Sequence, residues 1–249
     1  MKKILRNIVS ALGGGLLSSR RLEQLELLEL DVDKLFELSL KAVSDKCESK
    51  AQLKQDIIVL LTKRFKMKGF FVEFGATNGV DLSNTYLLEK SFGWNGILAE
   101  PATIWHESLS KNRNVNIDFS CVYGKSGEVL AFNMADEAEL STIAHFGNED
   151  IHSNTRKNGL IYNVNTISLN DLLCKYDAPY EIDYLSIDTE GSEFEILSNF
   201  DFDKYNISII TCEHNYTEDR KKIYDLLIKN GYVRKYEGLS KWDDWYFRD

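Results

Sequence analysis

The sequence predicts an α/β fold in which a mostly parallel β-sheet carries helices on both faces. Two patterns lead to this expectation. Short runs of β-forming residues alternate with segments of helical periodicity from Phe70 onwards. A glycine-containing turn follows the first of these runs and precedes a helical segment. Such alternation is typical of parallel sheets, because each parallel strand needs a long crossover connection.

Five runs rich in β-forming residues are the predicted parallel strands: Phe70–Phe74, Asn95–Pro101, Val115–Tyr123, Ile182–Gly191 and Ile207–Asn215. Helical patterns begin near Ser83, cover Asp171–Tyr176, and run from residue 218 to a stop glycine at Gly231. Two short strand-like pieces, residues 232–238 and 243–249, close the chain. A hairpin of these pieces would add an antiparallel edge to the sheet.

Residues 1–67 precede the predicted sheet and are interpreted as an N-terminal helical segment, with the sheet domain at 68–249. Leucines at three- and four-residue spacing predict a packing helix in the later part of this segment. Residues 1–17 combine early basic residues with apolar ones, which is compatible with peripheral contact to an anionic membrane surface. A helix that is mobile or packs on the core is the alternative. The pattern lacks a signal-peptide cleavage site.

Composition indicates a globular protein with a small substrate. The chain has 249 residues and a formal net charge of −9. Nucleic acid is therefore not an expected partner, since binding phosphates requires clustered lysine and arginine. The four cysteines show neither a C-x-x-C pair nor metal-ligand spacing. They are typical of reduced thiols, and a cytoplasmic location is predicted.

Acidic residues stand at four of the five predicted strand ends: Glu73, Glu100, Asp188 and Glu213. Ligands of open α/β sheets bind beyond the carboxyl ends of the strands. The loop Gly75–Gly79 has no basic residue and lacks the middle glycine of a dinucleotide fingerprint, so it is not suited to bind a phosphate group. A ligand with a cationic centre would be favoured. S-adenosylmethionine is such a ligand. Glu100 is expected to be solvent-accessible and to accept hydrogen bonds from the ribose hydroxyls of this cofactor. An ordinary tight turn is the alternative interpretation of the loop.

Four ordered motifs resemble one known family, and they read FFVEFGATNGVDLSNTYLLEKSFGWNGILAEP, YLSIDTEGSEFEIL, CEHN and DDWYF. They lie within Phe70–Phe247 and are similar to the FkbM family of S-adenosylmethionine-dependent methyltransferases. The resemblance implies a Rossmann-like class I methyltransferase sheet, mostly parallel with the last strand antiparallel, here preceded by an N-terminal helical extension. It also implies O-methylation of a sugar or sugar-like small molecule, as a glycan intermediate or in natural-product biosynthesis.

The resemblance assigns the cofactor to the glycine loop, the second strand end and the motif at the fourth strand. The predicted cofactor-binding residues are Glu73, Gly75, Ala76, Asn78, Gly79, Ser83, Glu100, Pro101, Asp188 and Glu190. A side chain at position 75 would either occupy the cofactor's space or adopt an unfavourable φ.

Methyl transfer to an alcohol requires alignment of the reacting atoms and a route for the hydroxyl proton. The predicted catalytic residues are His214, Asp188 and Glu213, and His214 has the pKa suited to a base near pH 7. A structural histidine and a turn-capping Asp188 are the alternatives. A metal is not the leading expectation, although Asp188, Glu213 and His214 together would suit Mg²⁺ or Mn²⁺.

The long polar segment Glu139–Gly159 is predicted to be a substrate lid, with Ser141 and Thr142 near the cofactor. The predicted substrate-binding residues are Glu190, Glu193, His145 and Arg156, with His152 and Lys157 as further candidates to bind a phosphate or carboxylate of the acceptor. Ordinary surface side chains are the alternative. A second functional class is a catalytically inactive, cofactor-binding interaction protein of the same fold. The acids at the strand ends favour the enzyme.

Overall fold

The structure of the protein is a computed structural model that describes residues 48–146 and 155–248. The proposed membrane-contact segment 1–17, most of the leucine-rich helical pattern and His152 lie outside the described residues. Within the described ranges, no helix is both long enough and apolar enough to cross a membrane.

Strands and helices alternate as the sequence predicts, except that β3 to β7 follow one another without an α-helix between them. The strands are β1 (Phe70–Phe74), β2 (Asn95–Ala99), β3 (Asn116–Asp118), β4 (Cys121–Tyr123), β5 (Val129–Met134), β6 (Thr142–Ile143), β7 (Leu160–Ser168), β8 (Glu181–Ile182), β9 (Tyr184–Ile187), β10 (Asn206–Ile207), β11 (Ile209–Glu213), β12 (Val233–Lys235) and β13 (Asp243–Phe247). The α-helices are α1 (Gln55–Thr62), α2 (Tyr86–Phe92), α3 (His106–Asn112), α4 (Leu169–Lys175), α5 (Glu193–Ser198), α6 (Asp219–Lys229) and α7 (Glu237–Ser240), and short 3₁₀ helices cover Thr103–Trp105 and Ala138–Leu140.

The main sheet has seven strands in the order β12-β13-β11-β9-β1-β2-β3. Its neighbouring strands are parallel except around β13, which pairs antiparallel with both β11 and β12. The predicted mostly parallel sheet with an antiparallel last strand is therefore confirmed. The two terminal strands form an antiparallel pair at the edge of the sheet, with β12 outermost and β13 between β11 and β12.

A second sheet of four strands, in the order β4-β7-β5-β6, lies beside the main one. The predicted third strand, Val115–Tyr123, divides between the two sheets. Its first half is β3 of the main sheet and its second half is β4, which pairs with β7. The chain changes sheets at Phe119 and Ser120, where Asp118 Oδ1 accepts a hydrogen bond from the Ser120 N–H at 2.8 Å. This second sheet was not predicted from the sequence.

Helix α1 belongs to the core of the sheet domain. Its residues 57–61 are all buried and join a cluster that includes Phe71 of β1, Leu98 of β2 and Trp245 of β13. Alternate residues of the same strands, such as Val72 and Ile97, form the core on the opposite face. Residues 55–62, which precede the predicted boundary at residue 67, therefore pack on the sheet itself.

Candidate functional site

A cavity of about 410 Å³ opens at the carboxyl ends of β1, β2, β9 and β11. Its volume lies in the range of small-molecule sites, roughly 300–1,000 Å³. The cavity sits where the order of the parallel strands reverses, with β2 on one side of β1 and β9 on the other, which is the expected ligand position in such sheets. A neighbouring depression of about 620 Å³ shares Glu190, Glu213, Asn215 and Tyr216 with it.

Glu73 in β1 anchors the loop that follows its own strand. Its carboxylate accepts hydrogen bonds from the Asn84 N–H at 2.7 Å, from the Ser83 hydroxyl at 3.0 Å and from the Thr85 hydroxyl. Arg113 Nη1 lies 3.7 Å away and is buried with it. Glu73 touches the cavity, but most of its hydrogen-bonding capacity holds residues 83–85. No local sequence pattern indicates the role of Arg113, since that residue lies 40 positions downstream of Glu73.

The two glycines of the loop are needed by the fold itself. Gly75 has φ +71° and Gly79 has φ +78°, a backbone region that disfavours side chains. A Cβ atom on Gly75 would lie 2.0 Å from the backbone oxygen of Asp188, and one on Gly79 would meet the side chains of Leu109 and Arg113. The predicted requirement for glycine at position 75 therefore has a backbone cause, since β1 and β9 approach each other closely there.

The predicted cofactor-binding residues divide into two groups. Those whose atoms line the cavity are Glu73, Gly75, Glu100, Pro101, Asp188 and Glu190. Those that do not line it are Ala76, Asn78, Gly79 and Ser83. Asn78 shows why, because its side-chain oxygen accepts the N–H groups of Val80 and Asp81, each at 2.9 Å, and so shapes the turn.

Glu100 follows β2 and is only 4% exposed, so the expectation of a solvent-accessible strand end is wrong. Its Oε2 accepts from the Thr77 N–H at 2.8 Å and its Oε1 from the Ala102 N–H at 2.7 Å. Burial is the largest influence on the carboxyl group and raises its pKa to about 7. Glu100 therefore ties the glycine loop to the end of β2 and still contacts the cavity.

Three acids meet at the ends of β9 and β11. One carboxylate oxygen from each of Asp188, Glu190 and Glu213 lies within 4.8 Å of the other two. Burial is the largest cause that raises the pKa of both Asp188 and Glu213, and the neighbouring acid charges raise the pKa of Glu213 further. The negative charge of Asp188 therefore disfavours the ionised form of Glu213.

His214 does not join these acids, although it follows Glu213 directly. Its Nδ1 accepts the Tyr216 N–H at 3.0 Å, and its Nε2 faces Asp244 Oδ1 at 3.8 Å. With Nδ1 already accepting, the hydrogen-bond network assigns the proton to Nε2, so no ring nitrogen remains to act as a base. The side chain is 1% exposed, and burial lowers its pKa. His214 is therefore not positioned to act as the predicted general base. The predicted metal set of Asp188, Glu213 and His214 is not formed either, because the third residue beside Asp188 and Glu213 is Glu190.

The other predicted substrate-binding residues have internal partners or point elsewhere. Glu193 accepts from the N–H groups of Thr189 and Gly191 at 3.0 and 3.1 Å and stabilises the turn after β9. Arg156 is buried, donating to Leu140 O at 2.6 Å and to Glu190 Oε2 at 2.8 Å. His145 is exposed and lines neither cavity. The expectation that His145 and Arg156 bind an anionic acceptor group is thus not supported by their positions.

The described part of the predicted lid closes one side of the cavity. Ser141 lines the cavity, as expected of a residue near the cofactor, whereas Thr142 is buried and donates to Glu190 O at 2.8 Å. Through Thr142 and Arg156, residues on both sides of positions 147–154 hold Glu190. These two flanking residues therefore link the described parts of the predicted lid to the acid cluster.

Two distant parts of the chain form a wall of the cavity that the sequence did not reveal. Gln55 of α1 donates from Nε2 to Asp243 Oδ2 of β13 at 2.8 Å, and Gln52 and Trp242 line the cavity beside them. Burial raises the pKa of Asp243 to about 7. No local pattern marks this contact, because its two residues are 188 positions apart.

Comparison with known proteins identifies the family. The sequence model described as the methyltransferase FkbM domain matches residues 73–234, which is more than half of the chain. Among solved structures, the chain is similar to precorrin-6y C5,15-methyltransferase from Geobacter metallireducens, with 12% identity and a TM-score of 0.41, over 78% of this chain and 87% of that one. It is also similar to a chain of the fibrillarin/Nop5p complex, with 10% identity and a TM-score of 0.36, over 77% and 79%. No curated protein matches the sequence.

These structural similarities are too weak to add to what the strand order already describes. The family match covers the glycine loop, Glu100 and the acids that follow β9 and β11. It agrees with a sheet in which a single antiparallel strand lies among parallel ones. The chain belongs to the FkbM methyltransferase family.

Proposed function

We propose that this protein transfers a methyl group from S-adenosylmethionine to a hydroxyl group of a neutral sugar or sugar-like small molecule. The chemistry of the cavity wall carries the proposal. The polar side chains that line it are carboxylates, amides, hydroxyls, a thiol and an indole, without lysine or arginine among the described residues. Residues 147–154, GNEDIHSN, contain neither type. Such a wall favours hydroxyl donors over phosphorylated groups.

Membership of a methyltransferase family implies S-adenosylmethionine, which supplies an electrophilic methyl group on a sulfonium. The residues present fit this cofactor. Glu100 uses one lone pair on each oxygen for backbone N–H groups, so further lone pairs remain to accept two ribose hydroxyls. Val122, Phe132 and Ile143 offer an apolar wall to a planar base. The nearby acids suit a ligand that carries positive charge.

Asp188 is the residue that we assign to accept the proton of the acceptor hydroxyl. It follows β9, lines the cavity and has a pKa raised to about 6, because the site is screened from solvent. A base titrating near the working pH is effective in proton transfer. His214 lines the neighbouring depression and holds the backbone turn at Tyr216.

The same proposal places the reaction on a glycan intermediate or a natural product in the cytoplasm, which the family resemblance supports. An inactive, cofactor-binding interaction protein is the other candidate. It is disfavoured because Asp188, the assigned base, lines the cavity beside Glu213 at the carboxyl end of the sheet.

Mass spectrometry tests the proposal. The full chain is incubated with S-adenosylmethionine and a panel of neutral sugars, their nucleotide-activated forms and hydroxylated natural-product cores. We expect one acceptor to gain the mass of one methylene group, with the new methyl on oxygen by NMR. Methylation at nitrogen or carbon would contradict the hydroxyl assignment. Cofactor binding by calorimetry with no consumption across the panel would favour the interaction protein instead.

A further inference from the structure

The acids at the ends of β9 and β11 have the geometry of a cation site. Three oxygens, one each from Asp188, Glu190 and Glu213, lie within 4.8 Å of one another. Two oxygens bound to the same ion cannot be farther apart than twice the metal–oxygen distance, about 4.1 Å for Mg²⁺ and up to about 5.2 Å for Ca²⁺. The 4.8 Å limit lies between these values, so the side chains have to rotate to bring the three oxygens closer together around one ion, and further for Mg²⁺ than for Ca²⁺.

Acceptor atoms without donors provide a second, independent observation. Glu213 is 9% exposed, and its Oε2 has no hydrogen-bond partner. Asn84 is 8% exposed and lines the same cavity, and its Oδ1 also lacks a partner while its Nδ2 donates to Ser186 at 2.9 Å. Ser186 lies in β9, two positions before Asp188. Buried acceptors are costly unless a hydrogen-bond donor, a water molecule or an ion satisfies them.

The negative charges around these acids favour the binding of a positively charged ligand. Arg156 contacts Glu190 at 2.8 Å and offsets one negative charge. The charged groups that act on Asp188 and Glu213 are further acids, chiefly Glu193, Glu73 and each other. An ion with two positive charges would neutralise the remaining pair.

We propose that Asp188, Glu190 and Glu213 bind one divalent cation of the oxygen-preferring class, such as Mg²⁺, Mn²⁺ or Ca²⁺. Carboxylate-only ligands select these ions over zinc or copper. Three protein ligands leave coordination positions open towards the cavity. A hydroxyl bound at such a position loses its proton more readily. That consequence rests on the proposed function, whereas cation binding does not.

Titration of the apo full-length protein with Mn²⁺ tests the site, with free Mn²⁺ followed by its EPR signal. We expect one saturable site in the wild type. Glu213→Gln should weaken its affinity by at least about 10–100-fold, since even residues outside the first coordination sphere contribute that much. Glu107→Gln, with the same charge change on an exposed surface residue, is the matched control and should leave the affinity unchanged.

Thermal unfolding supplies the second readout. Mn²⁺ should raise the Tm of the wild type and of Glu107→Gln but not that of Glu213→Gln or Asp188→Asn. Without metal, Glu213→Gln should be at least as stable as the wild type, because it removes a repulsive acid contact. Absence of Mn²⁺ binding, or equal binding by Glu213→Gln, would overturn the proposal. If S-adenosylmethionine alone depends on Glu213, the acids serve the cofactor's ammonium group and no cation. A protein that binds Mn²⁺ but methylates nothing would overturn only the proposed function.

Discussion

Glu73 and Asp188 lie near the carboxyl ends of neighbouring strands, yet the protein surrounds their carboxylates differently. Glu73 receives hydrogen bonds from residues 83–85 and has the buried cation of Arg113 at 3.7 Å. Asp188 instead faces Glu213, with Glu190 close by. Burial of acid against acid raises the pKa of Asp188 and Glu213.

The difference separates a structural acid from acids available to a ligand. A buried carboxylate is stable when donors and an opposite charge surround it, and the Glu73 network meets that condition. The Asp188 pair does not meet it, so its stabilisation has to come from a bound proton or a ligand. Proximity to the cavity alone would not have distinguished the two, since both Glu73 and Asp188 line it.

The largest expected effect concerns turnover. Asp188→Asn should lower kcat by about 10²–10⁴-fold, the usual contribution of a positioned base, without lowering the free energy of unfolding. His214→Asn places a side-chain oxygen near the Tyr216 N–H and should lower kcat by less than about tenfold. Both are measured by methyl transfer to the acceptor found by mass spectrometry. An equal loss of kcat in the two variants would support the catalytic role of His214 that the sequence predicts.

The next effect concerns stability and tests the other half of the comparison. Arg113→Ala should reduce the free energy of unfolding by about 3–5 kcal/mol, because it leaves buried Glu73 and Glu89 without their shared cation. Chemical denaturation measures the loss. Lys111→Ala is the matched control, since its pair with Glu107 is on the surface and both side chains are mostly exposed. If the two variants unfold at the same denaturant concentration, the Glu73 network is not the structural centre that its contacts indicate.

Parallel strands and their acidic ends were predictable from the sequence, because strand patterns are local and parallel strands end at one edge of the sheet. The surroundings of each side chain were not. Strand β11 ends at Glu213, and His214 lies in the turn that follows, where its ring accepts the Tyr216 N–H and faces Asp244. Sequence reasoning grouped Glu213 and His214 by their adjacent positions along the chain and so placed His214 among the acids.

Other features depend on contacts that no local pattern encodes. The run Val115–Tyr123 has the pattern of one strand, because no glycine or proline stands at positions 119 and 120, where the chain changes sheets. The Gln55–Asp243 hydrogen bond joins residues 188 positions apart. Helix α1 showed only the periodicity of a packing helix, and its place on the cavity wall follows from tertiary packing.

The smallest expected effect concerns Glu100, which combines features of both acids. Like Glu73 it accepts backbone N–H groups, and like Asp188 it lacks a cation and has a raised pKa, about 7 compared with the ordinary 4.5. A folded-state pKa above the unfolded one means that the folded protein binds the proton more tightly. This stabilisation is complete below pH 4.5 and is lost as pH rises through 7. The Tm of the apo protein should therefore fall between pH 6 and 8.

Cofactor affinity should change in the opposite direction over the same range, because the ribose hydroxyls donate best to the ionised carboxylate. Calorimetry with S-adenosylmethionine should show tighter binding at pH 8 than at pH 6. Glu100→Gln should bind about 1.5–3 kcal/mol more weakly than the wild type at pH 8, the range for a hydrogen bond to a charged group. It should also lose most of the pH dependence, while any contribution from Asp188 remains in the variant. A variant that keeps the wild-type affinity and pH profile would show that Glu100 only holds the loop, as Glu73 does.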